Sequence, residues 1–307
     1  MCSDTATHFS GIWPAMITPF DDDGELDLSA LDKLVARLIG QGAGGIYLNG
    51  STGEGPLMTP DERKQVAERT VKTVAGQIPV IVHVGGGRPA DDIVLAKHAG
   101  QIGVTGISSV PPIYYPYPPE SVFEHFRRIA AATDVPFYGY HLTGQASRPL
   151  NMNQYVECLM EIPTAAGIKY TGQNPVDIAL LKRLSDGKLM VFSGADECYL
   201  GNLAQGAEAA IGSFYNVFLP EWQTIHDLAV GGKWAEASHR MSVAAHAIMT
   251  IRHFGVDLAK YILAKQGLPV GCARHPLPTM DRPDHQPFEA IWNSPALAEF
   301  RGNVQDW

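Results

Sequence analysis

Short apolar runs rich in β-branched residues recur eight times along the chain before residue 214. The runs are continuous and do not alternate with polar residues, which is typical of strands buried on both faces, as in a parallel sheet. Helix-like or turn-forming segments separate each run from the next. We therefore predict eight strands, over residues 12–18, 44–49, 79–84, 106–110, 135–140, 165–170, 189–194 and 208–213.

Between these runs, apolar residues recur at spacings of three and four, which predicts amphipathic helices. Asp27 precedes the first helix as an N-cap. Thr59 opens the second, with Pro60 at the first helical position and Glu62 three residues after the cap, which is a capping box. Gly76 is the expected C-cap of that helix. The predicted helices cover residues 28–41, 59–76, 89–103, 119–133, 152–162, 174–187 and 196–206, and a longer helical stretch follows over 219–267.

Strands that alternate with helices form βαβ units. Eight such units fit a closed barrel better than an open doubly wound sheet, and no G-x-G-x-x-G motif follows the first strand. The predicted fold class is therefore α/β, a (β/α)8 TIM barrel with a C-terminal helical extension. No low-complexity linker divides the chain, so we expect a barrel over residues 1–218 and a helical appendage with a tail over 219–307, packed on the barrel.

Composition and charge exclude several classes of protein. The chain has 307 residues, of which 45% are hydrophobic and 18% charged, as in globular proteins. Its net charge is −9 without a basic block, so we expect neither nucleic acid nor a membrane as a partner. It has no apolar run long enough to span a membrane and no secretory pattern at its N-terminus. Scattered cysteines indicate free thiols in a reducing compartment, so a cytoplasmic protein is expected. They are Cys2, Cys158, Cys198 and Cys272.

One lysine lies inside an apolar run, in the stretch AAGIKYTG over residues 165–172. Burying an ammonium group is costly unless it is paired. Either the strand lies at an edge and Lys169 extends its charge into water, or burial keeps a free amine that attacks ketones. The residue alone leaves both alternatives open.

Other polar groups fall at the C-terminal ends of the predicted strands, where a TIM barrel builds its active site. The stretch NGSTGEG is either a glycine turn or a cradle in which Ser51, Thr52 and backbone N–H groups bind a small carboxylate. Tyr140 is either a core aromatic or a hydroxyl of the site. Asp196 and Glu197 either belong to the site or start a helix, where acids are favoured.

A lysine, a tyrosine and a hydroxyl-rich cradle facing one pocket are the parts needed for Schiff-base chemistry on a 2-oxo acid. The histidines are dispersed, and no group of ligands marks a strand end, so we predict no metal site. The expected partner is a small-molecule 2-oxo acid. No cofactor is expected, because an imine formed through Lys169 supplies the electrophile.

Three motifs make the chain resemble the pyruvate-dependent class I aldolases of the dihydrodipicolinate synthase and N-acetylneuraminate lyase superfamily. The resemblance implies a carbon–carbon lyase in which Lys169 forms the imine and Tyr140 relays a proton. It also implies a homotetramer in which Tyr114 or Tyr115 reaches a neighbouring subunit's site. The resemblance runs from about residue 11 to residue 280, and the motifs are GSTGE at 50–54, GIK at 167–169 and IGS-x-YN at 211–216.

Within the superfamily, the stretches PFYGYH and YYPYP look like those of N-acetylneuraminate lyases. The implied reaction is the cleavage of N-acetylneuraminate to pyruvate and N-acetylmannosamine. Ser51 and Thr52 are implied to hold the C1 carboxylate. The residues implied to bind the polyol tail of the sugar are Thr171, Gly194, Asp196, Glu197 and Ser213.

Two positions leave other substrates open. Gln145 stands where dihydrodipicolinate synthases have an arginine, which argues against 4-hydroxy-tetrahydrodipicolinate synthase activity. Arg148 is nearby, but it is out of register with that arginine position. Thr143 stands where the family usually has proline, so an aldolase or dehydratase for another 2-oxo-3-deoxy sugar acid remains an alternative. A non-catalytic protein that binds a 2-oxo acid is an alternative of another class, and the presence of both Lys169 and Tyr140 argues against it.

Overall fold

The eight predicted strands form a single parallel sheet in the computed structural model, which describes residues 9–142, 150–278 and 286–303. Each strand overlaps one of the predicted runs, and most are shorter than the run because the apolar sequence continues into the adjoining loops. The strands are β1 (Gly11–Pro14), β2 (Ile46–Leu48), β3 (Val80–His83), β4 (Gly106–Ser109), β5 (Phe137–Leu142), β6 (Ala165–Thr171), β7 (Met190–Ser193) and β8 (Ala209–Gly212).

The sheet closes on itself. Hydrogen bonds join the strands in the order β1-β8-β7-β6-β5-β4-β3-β2. Between β1 and β2, the Ile12 carbonyl accepts from the N–H of Gly44 at 2.9 Å and the Tyr47 carbonyl from the N–H of Met16 at 2.8 Å. The predicted TIM barrel is therefore confirmed, and its parallel strands all end at one rim.

The helices begin where the capping residues predict. Asp27 caps α1 with its carboxylate, and Thr59 and Glu62 form the capping box of α2. The sequence predicts Gly76 as the C-cap of α2, but the C-cap is Ala75. Both residues have a positive φ, +48° at Ala75 and +76° at Gly76, because the chain reverses over the two together. The helices are α1 (Leu28–Gly40), α2 (Pro60–Val74), α3 (Pro89–Gln101), α4 (Pro119–Ala130), α5 (Met152–Met160), α6 (Pro175–Leu184), α7 (Tyr199–Ala204), α8 (Tyr215–Val230), α9 (Trp234–Ile251), α10 (Gly255–Lys265), α11 (Gln286–Trp292) and α12 (Pro295–Asn303).

The long helical stretch predicted over 219–267 consists of α8, α9 and α10. α8 starts directly after β8 and is kinked at Phe218, where φ is −132° and ψ is 23°, two residues before Pro220. A proline inside a helix removes a backbone donor and crowds the preceding turn, which explains the kink. The boundary expected at residue 218 falls at this kink, and the division of the chain there stays a prediction.

Aromatic side chains fill the interior of the barrel. The ring centroids of Trp13 and Phe192 lie 5.3 Å apart in an edge-on arrangement, and Tyr138 packs on the same phenylalanine at 5.6 Å. Gly45 makes room for them, because a Cβ atom there would lie 2.5 Å from the Trp13 ring. The interior is therefore a packed core, and a ligand site must lie at a rim.

A second apolar layer separates the sheet from the surrounding helices and includes the C-terminal helices. Phe300 of α12 packs edge-on against Phe218 with ring centroids 4.7 Å apart, so the end of the chain covers the kink in α8. None of the helices in the described ranges is long and apolar enough to cross a membrane.

Candidate active site

Lys169 lies on β6, and only 5% of its surface is exposed. Its Nζ atom lies 4.5 Å from the ring centroid of Tyr47 and 4.3 Å from that of Tyr140. Electron-rich ring faces attract the head group of a lysine. Of the two alternatives for this lysine, the structure therefore has the buried side chain and not one that extends into water.

The two tyrosines that contact the lysine lie on different strands. Tyr47 lies on β2 and Tyr140 on β5, and their rings meet at 88° with centroids 6.2 Å apart. The Tyr47 hydroxyl donates to the Oγ atom of Ser108 at 3.2 Å. Burial, and then the proximity of Tyr140, raises the pKa of Tyr47 well above its usual value. Tyr47 therefore stays protonated and contributes its ring, whereas no such bond ties up the hydroxyl of Tyr140 among the described residues.

His83, at the end of β3, is buried and packs edge-on against Tyr140 with ring centroids 5.9 Å apart. Its Nε2 atom accepts from the backbone N–H of Val110 at 3.2 Å, so the proton is assigned to Nδ1. Burial, followed by the positive charges of Arg63 and Lys169, holds the pKa of His83 well below 6.5. The imidazole is therefore neutral and acts as a packing wall for Tyr140.

The NGSTGEG loop, which follows β2, bends back on itself. Asn49 and Glu54 both adopt left-handed backbone conformations with φ of +56°, and a Cβ atom on Gly55 would lie 1.9 Å from the Asn49 carbonyl oxygen. The loop's internal hydrogen bonds use the N–H groups of Glu54 and Gly55. In the described structure they leave the N–H groups of Ser51 and Thr52 for a ligand, as an anion-binding cradle requires.

Ser213, the residue that follows β8, lies against this loop. Its hydroxyl is 2.6 Å from that of Thr52, and either oxygen can be the donor. The hydroxyl of Thr18 in turn donates to the Gly53 carbonyl at 2.6 Å. The segments that follow β1 and β8 therefore fix the loop that holds Ser51 and Thr52.

Gly194 and Thr171 meet where β6 and β7 end. The N–H of Gly194 donates to the Tyr170 carbonyl at 2.7 Å, and a Cβ atom on Gly194 would lie 2.1 Å from the Thr171 Oγ atom. Only glycine permits this close approach. The two residues, both predicted for the site, are in contact.

Asp196 is buried against β8. Its Oδ2 atom accepts from the N–H of Phe214 at 2.8 Å, and a Cβ atom on Gly212 would lie 1.8 Å from Oδ1. Burial raises the pKa of Asp196 to about 7, against the effect of the Phe214 N–H and of the Lys169 charge. The residue starts a short 3-10 turn, Asp196–Cys198, before α7, where a longer helix was predicted. Near neutral pH the carboxyl group exists in both protonation states, so it can donate or accept hydrogen bonds.

We expect Asp196→Asn to stabilise the protein above neutral pH. The folded carboxyl, with a pKa of about 7 against the usual 3.8, keeps its proton to higher pH than the unfolded chain does, so wild-type stability falls as pH rises between these values. Asparagine does not titrate and can still accept from Phe214. Urea unfolding should show a gain on the order of 4 kcal/mol at about pH 8 that largely vanishes near pH 4.

The exposed Asp61, changed to Asn, is the control for this comparison, since its side chain is 83% exposed. An equal gain for Asp196→Asn at both pH values would show that the carboxyl is not protonated preferentially in the folded state.

Glu197 is held by two partners that the sequence did not indicate. Its Oε1 atom accepts from Arg252 Nη1 at 3.0 Å and from Gln173 Nε2 at 3.3 Å. Arg252 follows α9, and its side chain is 44% exposed. A cation therefore lies next to the carboxylate at the end of β7, so the predicted tail-binding region carries both signs of charge.

The remaining predicted positions lie apart from this cluster. Tyr114 and Tyr115 are 84% and 61% exposed and pack edge-on against each other, so in a single chain they belong to the surface. Thr143, Gln145 and Arg148 lie outside the described residues. Across the described ranges, no three His, Cys, Asp or Glu side chains are grouped to hold a metal ion.

Tyr47, His83 and Arg252 are the site residues that sequence reasoning missed. For Tyr47 and His83 a usable signal exists, because each is a polar group near the end of an otherwise apolar strand. Arg252 has none, since nothing in its surroundings along the chain indicates a contact with Glu197.

Comparison with known proteins places this geometry in a family. Residues 8–294 match the family described as Dihydrodipicolinate synthetase family. The chain belongs to this family. The N-acetylneuraminate lyase of Rhizobium meliloti is 30% identical over 275 residues, which cover 89% of this chain and 91% of that protein. The 4-hydroxy-tetrahydrodipicolinate synthase of Oceanobacillus iheyensis is 32% identical over 272 residues, 88% of this chain and 92% of that protein.

Solved structures of the dihydrodipicolinate synthetase family share the whole architecture. A catalytic lysine mutant of the sialic acid aldolase from Ruminococcus gnavus superposes with a TM-score of 0.91 at 26% identity, covering 98% of this chain and 99% of that one. The family and these relatives are carbon–carbon lyases of the class I aldolase type. The family and the enzyme class predicted from the sequence are therefore confirmed.

Proposed function

We propose that this protein is a Schiff-base aldolase that cleaves N-acetylneuraminate to pyruvate and N-acetylmannosamine. The observation that carries the proposal is the amine of Lys169, buried between two tyrosine rings at the rim of a TIM barrel. The Ruminococcus gnavus relative, an aldolase with a catalytic lysine, supports the chemistry. The Rhizobium meliloti relative, an N-acetylneuraminate lyase, supports the substrate.

The reaction starts at the amine. Lys169 attacks the C2 ketone of the open-chain sugar acid, and loss of water gives a protonated imine. The C4 hydroxyl loses its proton, the C3–C4 bond breaks, and C4 becomes the aldehyde of N-acetylmannosamine. The bonding electrons move into the imine and leave an enamine, which is protonated at C3 and hydrolysed to pyruvate and free Lys169. Because the imine is the electron sink, the proposed reaction uses no metal or cofactor.

Tyr140 is proposed to relay the proton that leaves the C4 hydroxyl. Its ring lies 4.3 Å from the lysine Nζ atom, so its hydroxyl is within reach of a substrate bound there. The edges of Tyr47 and His83 hold the ring from two sides. A ring fixed in this way presents its hydroxyl in one position, as proton transfer requires.

Ser51 and Thr52 are proposed to bind the C1 carboxylate through their hydroxyls and backbone N–H groups. Ser213 supports Thr52 through the 2.6 Å hydrogen bond and so acts on the same carboxylate. The sugar tail is proposed to extend the other way, toward the end of β7. There the carboxyl group of Asp196 can donate or accept hydrogen bonds, and Glu197 and Arg252 supply opposite charges. Thr171 and Gly194 line the contact between β6 and β7.

The protein is proposed to be a cytoplasmic homotetramer. Two exposed apolar features are consistent with subunit contacts: the tyrosine pair Tyr114 and Tyr115, and a stripe along α6 spaced four residues apart. Apolar side chains at this spacing lie on one helix face, and such exposed patches mark interaction sites. The tyrosine pair is the part proposed to reach a neighbouring subunit's site. The stripe consists of Val176, Leu180 and Leu184.

The test is pyruvate release from N-acetylneuraminate by the purified protein, followed through lactate dehydrogenase. We expect steady release at a rate typical of enzymes, on the order of 1 to 100 per second. Release from another 2-oxo-3-deoxy sugar acid and none from N-acetylneuraminate would contradict the proposed substrate. No release from any 2-oxo acid would contradict the proposed activity and favour a binding protein.

A further inference from the structure

The GSTGE loop is tied to the C-terminal part of the chain by a buried ion pair. Glu54 reaches α10, where its Oε1 atom lies 2.6 Å from the Nζ atom of Lys260. Both side chains are completely buried, with 0% of their surface exposed. An ion pair removed from water in this way is not a general source of stability, since well-packed apolar residues of similar size serve as well or better. The residues that the pair positions are therefore its more informative feature.

Lys260 has further partners that fix where its charge lies. Its Nζ atom donates to the carbonyl of Cys272 at 2.8 Å and lies 4.3 Å from the ring centroid of Phe20. Burial lowers the pKa of Lys260, and the neighbouring Glu54 carboxylate opposes that shift. The ammonium therefore bridges the loop after β2 and the segment after α10.

Arg274 holds the same carboxylate from the other side. Its backbone N–H donates to the Oε2 atom of Glu54 at 2.7 Å. Its guanidinium donates to the carbonyl of Gly24 at 2.7 and 2.9 Å and pairs with Glu62 at 2.5 Å. Glu62 is also the capping-box residue of α2, so the whole stretch between the loop and that helix is fixed to the C-terminal segment.

The position of Glu54 determines the shape of the cradle. Glu54 has a left-handed backbone with φ of +56°, a strained conformation for a residue with a side chain, and its N–H donates to the Ser51 carbonyl at 3.1 Å. Strain of this kind persists only where the surroundings impose it. Releasing the Glu54 side chain would therefore let the turn containing Ser51 and Thr52 relax.

From this chain of contacts we infer that Lys260 is a positioning residue, which through Glu54 holds Ser51 and Thr52 in the geometry that binds the substrate carboxylate. The inference rests on the proposed function, since it assumes that this loop is the carboxylate cradle. If Lys260 acts in this way, the C-terminal helical region supports the geometry of the active site, although Lys260 itself touches no substrate.

The experiment compares Lys260→Met with a matched control, Arg240→Met. The control breaks the ion pair between Arg240 of α9 and the buried Glu221 of α8. The N–O distance in this pair is also 2.6 Å. For each protein, borohydride trapping of the imine gives the half-saturating concentration of pyruvate and of methyl pyruvate, which keeps the ketone but lacks the charge. We expect Lys260→Met to raise the half-saturating concentration of pyruvate about tenfold or more. The half-saturating concentration of methyl pyruvate should rise far less. Arg240→Met should leave the ratio of the two values at that of the wild type.

The double variant Glu54→Gln, Lys260→Met covers the case in which an unpaired buried carboxylate prevents folding. It removes both charges, so it should fold and show the same selective loss for pyruvate. An unchanged ratio of pyruvate to methyl pyruvate in a folded variant would overturn the inference. Failure of the wild type to trap pyruvate at all would instead contradict the proposed function, and the inference with it.

Discussion

Replacing Lys169 with methionine is expected to abolish cleavage, lowering kcat/KM by at least about 10⁴-fold, because the amine that forms the imine is gone. The fold should survive, since a flexible apolar side chain fits between the rings of Tyr47 and Tyr140 better than a desolvated amine does. Pyruvate release and thermal unfolding of the variant measure the two expectations.

Lys64→Met is the matched control for this change. Lys64 lies on α2 in an exposed pair with Asp61, and its removal should leave the rate at the wild-type level. Turnover by Lys169→Met within a few-fold of wild type would eliminate the imine mechanism. An unfolded Lys169→Met protein would show that the lysine is needed for structure.

Tyr140→Phe is expected to slow turnover by roughly 10² to 10⁴-fold, the range for losing a general acid–base group. The ring that packs against Lys169, Tyr47 and His83 remains, so the variant should still form an imine with pyruvate. Steady-state rates with N-acetylneuraminate and borohydride trapping with pyruvate separate the two steps.

Tyr138→Phe removes a hydroxyl from the same strand and serves as its control. Tyr138 is buried against Phe192 in the barrel interior, so its hydroxyl has no place in the proposed proton path. Its rate should stay close to wild type. A Tyr140→Phe enzyme as fast as Tyr138→Phe would remove Tyr140 from the proton relay, and loss of trapping would give it a role in forming the imine.

The local sequence was sufficient to predict the barrel, because its strands and helices are indicated by residues that lie close together in the chain. Runs of β-branched residues, the N-cap Asp27 and the capping box at Thr59 each depend on neighbours within a few residues. The rule that strand ends form the site then brought Lys169, Tyr140 and the NGSTGEG loop to one rim. The structure places all three there.

The other residues of the site were not identified from the sequence, because their contacts cross the barrel. In strands buried on both faces, no alternation distinguishes inward from outward residues, so Tyr47 and His83 were not singled out. Lys260 carries a charge on a helix, which by itself indicates an exposed position. It is buried, and the carboxylate that pairs with it there is that of Glu54, far away in the sequence.

The most direct test of this account is to reduce the wild-type protein with borohydride in the presence of pyruvate and map the modified peptide by mass spectrometry. The account predicts one reduced pyruvate adduct per chain, on Lys169, and none when pyruvate is omitted. No adduct, or an adduct on another lysine with Lys169 unmodified, would contradict the proposed imine at the rim of the barrel.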